Sequence, residues 1–469
     1  MKSLGLFLTL AAFVSASAQP PYAGLAAREW GSAAVAAAEY ITVEPVEEYL
    51  PPIKQPYYCS HCNPEQVHIA FGEKSNNIVV TWSTFNDTPS VVHYGVEELQ
   101  HYAHGASSLF EDGGNERRQQ YTHRVTLPDL QYDTKYVYNV GSEYGVSSLF
   151  SFRTVPEGNN WPVRAAVFGD MGTEGAKAMP YLQEESEMGH FDLILHVGDM
   201  GYDMATDNAR VGDQFMRQIE PIATMVPYMT CVGNHEEAYN FSNYRERFSM
   251  PGGTESMFYS FDLGPVHFVA ISTEYYYYIK YGVKMIYEQY QWLEKDLAMA
   301  SHRENRTVRP WIVLMGHRPM YCSNADDLPD CEYEFSRTGN PFFGHGLEPL
   351  LQQYAVDLVF WAHEHSYERL WPLYNNTVYN GSLAAPYTDP RAPVHIVTGS
   401  AGNHGGQDPF TGTHPPWSAF RTDDFGYTRM VVHNHSHIYI EQTSVERNGD
   451  VVDSFWLVKH KLSFNDPHH

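Results

Sequence analysis

Five apolar runs in this chain end in the same way. The runs 165–168, 193–197, 228–232, 311–315 and 358–361 are each followed by Gly or Ala and then at once by a residue able to bind a metal ion. The junctions read Gly169-Asp170; Gly198-Asp199, with Gly201-Tyr202 just beyond; Gly233-Asn234-His235-Glu236; Gly316-His317; and Ala362-His363-Glu364-His365. Short apolar runs between helical stretches read as strands, and in open α/β sheets ligands bind beyond the carboxyl ends of the strands. The small residue at each junction lets the backbone turn sharply and the tips approach one another. The five tips are therefore expected to converge on one site. Singly each signal is weak, because Gly-Asp is usually a turn and an isolated His after a strand is usually hydrogen-bonded structure. His433, His435 and His437 show the bland case: the same alternation with no partner motif, expected to be a solvated strand face.

Helical stretches at 176–188, 207–220 and 285–300 alternate with these runs and with another apolar run at 395–398. Segment 257–272 reads instead as two strands joined at Gly264-Pro265. Residues 160–460 are thus expected to form an α/β domain of two packed, mixed β-sheets flanked by helices. Upstream the rhythm changes. Ile78, Val80 and Trp82 alternate with smaller or polar neighbours, as do Tyr136, Tyr138 and Val140 after the Asp133-Thr134 turn, and 148–153 closes the set. Short strands with turn signals between them predict an all-β, fibronectin-III-like sandwich over 59–156. At 469 residues the chain exceeds what one hydrophobic core usually organises, so two domains are the natural expectation.

The first 18 residues have the pattern of a secretory signal: Lys2, an apolar stretch over 4–14, and Ala16-Ser17-Ala18 before Gln19. Residues 19–58 read as an extended arm. No later run is long and apolar enough to span a bilayer. Six N-x-S/T triplets, at Asn86, Asn240, Asn305, Asn375, Asn380 and Asn434, are expected glycosylation sites behind such a leader. The product is expected to be secreted, with a lysosomal fate equally open. Of five cysteines, Cys59 with Cys62 and Cys322 with Cys331 form local pairs suited to disulfides in an exported chain, while Cys231 is expected to be a buried thiol. The formal charge of −26 argues against nucleic acid as a partner, because such binders need a positive footprint for the phosphate backbone. It leaves small phosphate esters open, since bound cations can dominate the local field.

The blocks G-D-M-G, G-D-M-G-Y, G-N-H-E, G-H-R-P-M-Y and A-H-E-H, in this order, resemble those of the purple acid phosphatases, within the calcineurin-like metallophosphoesterases. The likeness is to the large two-domain form found in animals and runs from about Cys59 to Lys459. It implies a ferric ion held by Asp170, Tyr202 and His365, a divalent ion held by Asn234, His317 and His363, and Asp199 bridging the two. Zinc is expected at the divalent position, with ferrous iron or manganese as alternatives. Hard, anionic oxygens suit a trivalent ion, whereas neutral imidazoles and an amide suit a divalent one. The resemblance further implies an acid phosphatase that cleaves phosphate monoesters through attack of a metal-bound hydroxide. His235 would bind the phosphate or protonate the leaving group, or else orient Asn234.

Plant members of the family carry a histidine pair shortly after the position of His317. Here that stretch reads Cys322-Ser323-Asn324-Ala325-Asp326-Asp327, so the leaving-group chemistry of the plant enzymes does not transfer. His345 and His404 could approach the site from other loops but are expected to be structural, and the tyrosine run 275–278 could line a pocket mouth, though four consecutive tyrosines cannot share one face. Two other readings compete with a monoesterase. One is a phosphodiesterase or nucleotidase with the same ligands. The other is an exported binding protein that has lost catalysis, which should lack at least one of the seven metal-binding residues; none is missing.

Overall fold

The computed structural model describes residues 59–324, 335–342 and 344–460. The leader, the arm, Cys331 and the acidic pair Asp326-Asp327 lie outside the described residues. The chain first runs through β1 (Glu65–Phe71), β2 (Ile78–Thr84), β3 (Val91–Gly95), β4 (His101–His104) and β5 (Ala106–Glu111). It continues through β6 (Gln119–Leu127), β7 (Lys135–Ser142), β8 (Gly145–Val146) and β9 (Phe150–Arg153). These strands form two sheets, ordered β1-β2-β6-β5 and β4-β3-β7-β8, with β9 beside β7. In β7 the expected alternation holds: Tyr136, Tyr138 and Val140 are buried and the residues between them half-buried. In β1 and β2 it fails, because all but the first residue of β1 and all but Val79 of β2 are buried. Both faces of this edge are covered, the outer one by the α/β part of the chain. Phe71 stacks on Phe261 at 6.0 Å, Thr81 bonds Ser249 at 2.9 Å, and Val67 N donates to Glu220 at 2.9 Å. Buried Arg247 joins Gln66 (3.0 Å) to Asp213 (2.9 Å), and Asp213 also pairs with Arg118. Polar groups this deep are tolerated because each charge has a hydrogen-bonded partner.

The α/β part contains β10 (Val163–Phe168), β11 (Leu193–Val197), β12 (Tyr228–Cys231), β13 (Tyr259–Leu263), β14 (Val266–Ala270) and β15 (Trp311–Met315). A short ribbon, β16 (Gly339–Asn340) with β17 (Gly344–His345), precedes β18 (Leu358–Trp361) and β19 (Tyr367–Leu370). A second ribbon, β20 (Leu373–Tyr374) with β21 (Thr377–Val378), precedes β22 (Val394–Thr398) and β23 (Ser418–Thr422). The described chain closes with β24 (Gly426–Asn434), β25 (His437–Ser444) and β26 (Asp450–Val458). Two mixed sheets result, ordered β12-β11-β10-β24-β25-β26 and β13-β14-β15-β18-β22-β19-β23. Strands β10, β11 and β12 are parallel in the first, and β14, β15, β18 and β22 in the second. The sheets meet through Thr398, which donates to Val167 O at 3.4 Å and accepts from Thr428 at 2.9 Å. Helices Met179–Glu187, Thr206–Ala223 and Lys284–Ser301 lie where the periodicity places them. In Thr206–Ala223, Phe215, Met216, Ile219 and Ile222 make one buried stripe at helical spacing. Among the described residues no helix is long and apolar enough to cross a membrane.

The segment 257–272 is the expected antiparallel hairpin, β13 with β14. His267 on it binds Asp262 through Nδ1 (2.8 Å) and Asp296 of helix Lys284–Ser301 through Nε2 (2.9 Å). Burial works to lower its pKa, but the two carboxylates outweigh burial and raise it from 6.5 to about 9. A raised histidine stabilises fully below its unfolded value and loses that contribution as pH rises through its folded value. His267→Gln is therefore expected to cost about 2 kcal/mol at pH 5 to 6, and much less above about pH 9. Chemical denaturation at both pH values checks this; an equal loss at both would show that the imidazolium charge contributes nothing.

The three histidines near the C-terminus do not share a strand face. Asn434 Oδ1 accepts from Ser436 N at 2.8 Å and from its hydroxyl at 3.0 Å, and this Asx turn reverses the chain. His433 thus lies one residue before the end of β24, His435 sits in the turn, and His437 starts β25. The rings of His433 and His437 pack on Trp456 at 5.1 and 5.9 Å. Cys59 and Cys62 are disulfide-bonded, as is Cys322, and Cys231 is a buried free thiol.

Candidate metal centre

Three of the five junctions lie at the carboxyl ends of β10, β11 and β12 in one sheet, and two at those of β15 and β18 in the other. Backbone bends aim their side chains inward. Asp170 (φ 58°), Asp199 (φ 49°), Tyr202 (φ 53°) and His363 (φ 72°) all adopt the left-handed region that non-glycine residues rarely enter. Such strain gathers where a site over-determines it. Gly198 (φ 83°) is needed for space as well, since a Cβ there would stand 2.3 Å from His317 Nδ1. A Cβ on Gly233 would stand 2.2 Å from Asp199 Oδ1.

The side chains gather in two groups. In the first, the Tyr202 hydroxyl donates to Asp170 Oδ1 at 3.1 Å and lies 2.7 Å from His365 Nε2, which is 3.7 Å from Asp170 Oδ1. In the second, His317 Nε2 lies 2.9 Å from Asn234 Oδ1 and 3.3 Å from Asp199 Oδ2. A ring nitrogen of His363 joins Asp199 and His317 there, the three ligand atoms lying within 4.8 Å of one another. The charge of Asp199 also acts on Asp170 and Tyr202 in the first group. The seven residues singled out from the sequence are thus brought together, Asp170, Asp199 and His317 buried and Tyr202, Asn234, His363 and His365 half-buried.

The electrostatics show what the pocket lacks. Burial pushes the Asp170 carboxyl well above its ordinary range, and the neighbouring Asp199 charge adds to this. Burial and the charges of Asp170 and Asp199 likewise hold the Tyr202 phenol well above 10. Burial would raise Asp199 too, but the facing His317 imidazole outweighs it and holds this carboxylate ionised. His317 is raised to about 10 by Asp199, against the effect of burial. Buried carboxylates and a phenol crowd together with acceptor nitrogens and an amide oxygen, and the anions repel. A cation in each group would reverse both burdens, so the donor set fits two metal ions.

Further residues brace these donors. His317 Nδ1 donates to Val197 O at 2.9 Å, leaving Nε2 to face the pocket. His363 N donates to Asp170 Oδ2 at 2.9 Å. Glu236 accepts from Asp199 N (3.0 Å), Met200 N (2.9 Å) and Gly233 N (3.0 Å), tying the tips of β11 and β12 together. Asp408 Oδ2 accepts from His365 N at 2.6 Å and lies 3.5 Å from its Nδ1. His235 stands at the rim, its side chain 33% exposed, with Nδ1 3.0 Å from Asp203 and Nε2 3.8 Å from Asp199. Burial would lower its pKa, but Asp203 and Asp199 raise it to about 9.

The supporting roles of Glu236, Asp203 and Asp408 were not read from the sequence. Glu236 closes the G-N-H-E block and Asp203 follows the G-D-M-G-Y block, so both could have been flagged, but nothing marks Asp408 in its loop. The exposed His404 ring lies 5.7 Å from that of Tyr202 at the rim, an approach from another loop. His345 is structural as expected, packed on Tyr287 and Tyr290 at 5.6 and 4.9 Å. The tyrosine run divides as expected. Tyr275 and Tyr276 are buried, while the Tyr278 hydroxyl reaches Asn234 O at 3.5 Å.

Profiles of three protein families match the chain. They are described as calcineurin-like phosphoesterase (residues 163–367), iron/zinc purple acid phosphatase-like protein C (392–454) and purple acid phosphatase, N-terminal domain (64–154). The chain is 52% identical over 404 residues to acid phosphatase type 7 of Mus musculus, covering 85% of this chain and 92% of that one. It is 50% identical over 401 residues to acid phosphatase type 7 of Homo sapiens, covering 84% and 91%. Among solved structures, a purple acid phosphatase from yellow lupin (Lupinus luteus) seeds has a TM-score of 0.72 at 25% identity, covering 85% of this chain and 74% of that one.

Proposed function

The chain belongs to the purple acid phosphatase family and is an acid phosphatase, and we propose that it cleaves small phosphate monoesters at two metal ions held by the residues gathered above. Asp170, Tyr202, His365 and Asp199 would hold ferric iron. Asn234, His317, His363 and Asp199 would hold zinc, or alternatively ferrous iron or manganese. The observation that carries this reading is the sorting of donors. A phenol, a carboxylate and one imidazole crowd one side, two imidazoles, an amide and the Asp199 carboxylate the other, and the Asp199 charge acts on the first side too. Two such ions supply Lewis acidity at the phosphoryl oxygens and acidify water. The protein's part is to fix their separation through Glu236, which locks two strand tips, and to orient His365 through Asp408. The visible spectrum of the purified protein with its metal content tests the assignment: a tyrosinate-to-iron band with two metals per chain is expected.

His235 would deliver a proton to the leaving oxygen, a reading supported by its position at the rim, where its Nδ1 bonds Asp203. His235→Asn is expected to lower kcat about 100-fold for alkyl phosphates and much less for a nitrophenyl phosphate, whose leaving group needs no proton. Equal losses for both would assign His235 to phosphate binding or to orienting Asn234. A simple aryl phosphate assayed beside a diester and a nucleotide separates a monoesterase from a diesterase or nucleotidase. Export, to the cell exterior or the lysosome, fits the exposure of Asn86, Asn305, Asn375 and Asn434; Asn240 and Asn380 are half-buried.

A further inference from the structure

The Cys59–Cys62 disulfide closes a turn of sequence separation 3, its Cα atoms 5.6 Å apart. The carbonyls of this turn face the chain just beyond β2. His61 O accepts from Phe85 N at 3.0 Å and from Asn86 N at 3.1 Å. The Asn86 side chain is drawn in as well: its Nδ2 donates to Ser60 O at 2.8 Å and to Cys59 Sγ at 3.7 Å. Asn86 O accepts from Thr84 Oγ1 at 2.6 Å. The residue is exposed, yet its backbone and its amide are all tied down. Thr88, which completes the N-x-S/T triplet, is buried.

These contacts engage the atom that glycosylation uses. Transfer of a glycan from a lipid-pyrophosphate donor joins a sugar C1 to the asparagine Nδ2, breaks the sugar–pyrophosphate bond and releases one Nδ2 proton. The enzyme that does this takes up the triplet extended, with the hydroxyl of its third residue presented beside the amide. In the folded chain Nδ2 faces the turn and Thr88 lies in the core, so transfer has to come before this corner folds. A glycan also replaces one N–H of Nδ2, and the amide then cannot give one to Ser60 and another to Cys59. Closure of the turn is itself a redox step, in which the two thiols pass two electrons and two protons to a protein disulfide that leaves as a dithiol. Cys59 is made 27 residues ahead of Asn86, a lead of about 1 to 5 s during synthesis, and disulfides form over seconds or longer. The two events therefore fall in the same interval. We propose that closure of the Cys59–Cys62 turn and glycosylation of Asn86 compete, so that the redox conditions in which the chain matures set how much of it carries a glycan at Asn86. This inference rests on the export reading above.

The test is site-by-site glycan occupancy, by mass spectrometry of the full-length protein made in cultured animal cells. Cell-retained and secreted protein are counted together, so a variant that folds poorly still reports. In wild type only part of the Asn86 population should carry a glycan. Cys59→Ser and Cys62→Ser are each expected to raise that part about twofold, because the competing events take similar times, with Asn434 unchanged. Dithiothreitol in the medium should raise it in wild type and add nothing in Cys59→Ser. Cys322→Ser, which opens a different disulfide, should leave Asn86 as it was. Equal occupancy of Asn86 in wild type and both variants would overturn the proposal. So would the same rise in Cys322→Ser, since slow folding alone would then govern the site. A wild type with no glycan at any triplet would overturn the export reading, and this proposal with it.

Discussion

Asp199→Asn abolishes turnover: kcat is expected to fall at least about a thousandfold, with the metal content dropping below two per chain. Asp199 acts on both donor groups, through its contact with His317 in one and its charge on Asp170 and Tyr202 in the other, so its loss is not expected to be confined to one of them. Its carboxylate lies 3.3 Å from His317 Nε2 and accepts from His235 N at 2.9 Å, and it is buried. The amide still accepts a hydrogen bond but brings no charge. Metal-free protein should lose stability as well, by about 3 kcal/mol, because a buried imidazolium is left without its counter-charge. Metal analysis, turnover and a melting curve on one preparation separate these effects. Unchanged activity would sink the shared-ligand assignment.

Tyr202→Phe should erase the visible absorption. The phenyl ring can keep its place against His235, 4.3 Å away, so the pocket retains its shape. What disappears is the oxygen that lies 2.7 Å from His365 and 3.1 Å from Asp170. In metal-free protein this removes hydrogen bonds worth about 1 kcal/mol each, and the melting temperature should move little. In metal-loaded protein an iron ion held there would lose its phenolate, so colour should go and iron should be held less tightly. A variant that stays coloured would place another group on the iron.

How much of this could be read in the sequence depended on distance along the chain. Each donor follows the strand that carries it within a few residues, so Asp170, Asn234 or His363 could be found from a local run and its end. The helix 285–300 and the hairpin at Gly264-Pro265 were legible for the same reason, since periodicity and turn chemistry are local. What failed was set by partners far away. Strand β2 kept the alternation of a half-exposed sandwich strand, yet Thr81 meets Ser249 across 168 residues. His365 gives no hint that Asp408 will brace it, and nothing near Asn86 announces that Ser60 will hold its amide. The histidines 433, 435 and 437 failed locally. Their alternation was real, but the Asx turn at Asn434 outweighed the strand pattern.

The donors come from two sheets, three tips from one and two from the other, and this makes the metal pair a clasp. Neither sheet holds a complete set, so metal occupancy is linked to the joining of the sheets, which contacts such as those of Thr398 hold together as well. Any ion bound only by the joined form adds about 2.7 kcal/mol to its stability when present at a hundred times its dissociation constant. A chain folding where iron is scarce would therefore lack part of its cohesion along with its chemistry. Metal supply would then act on how long the protein lasts, before it acts on how fast it works.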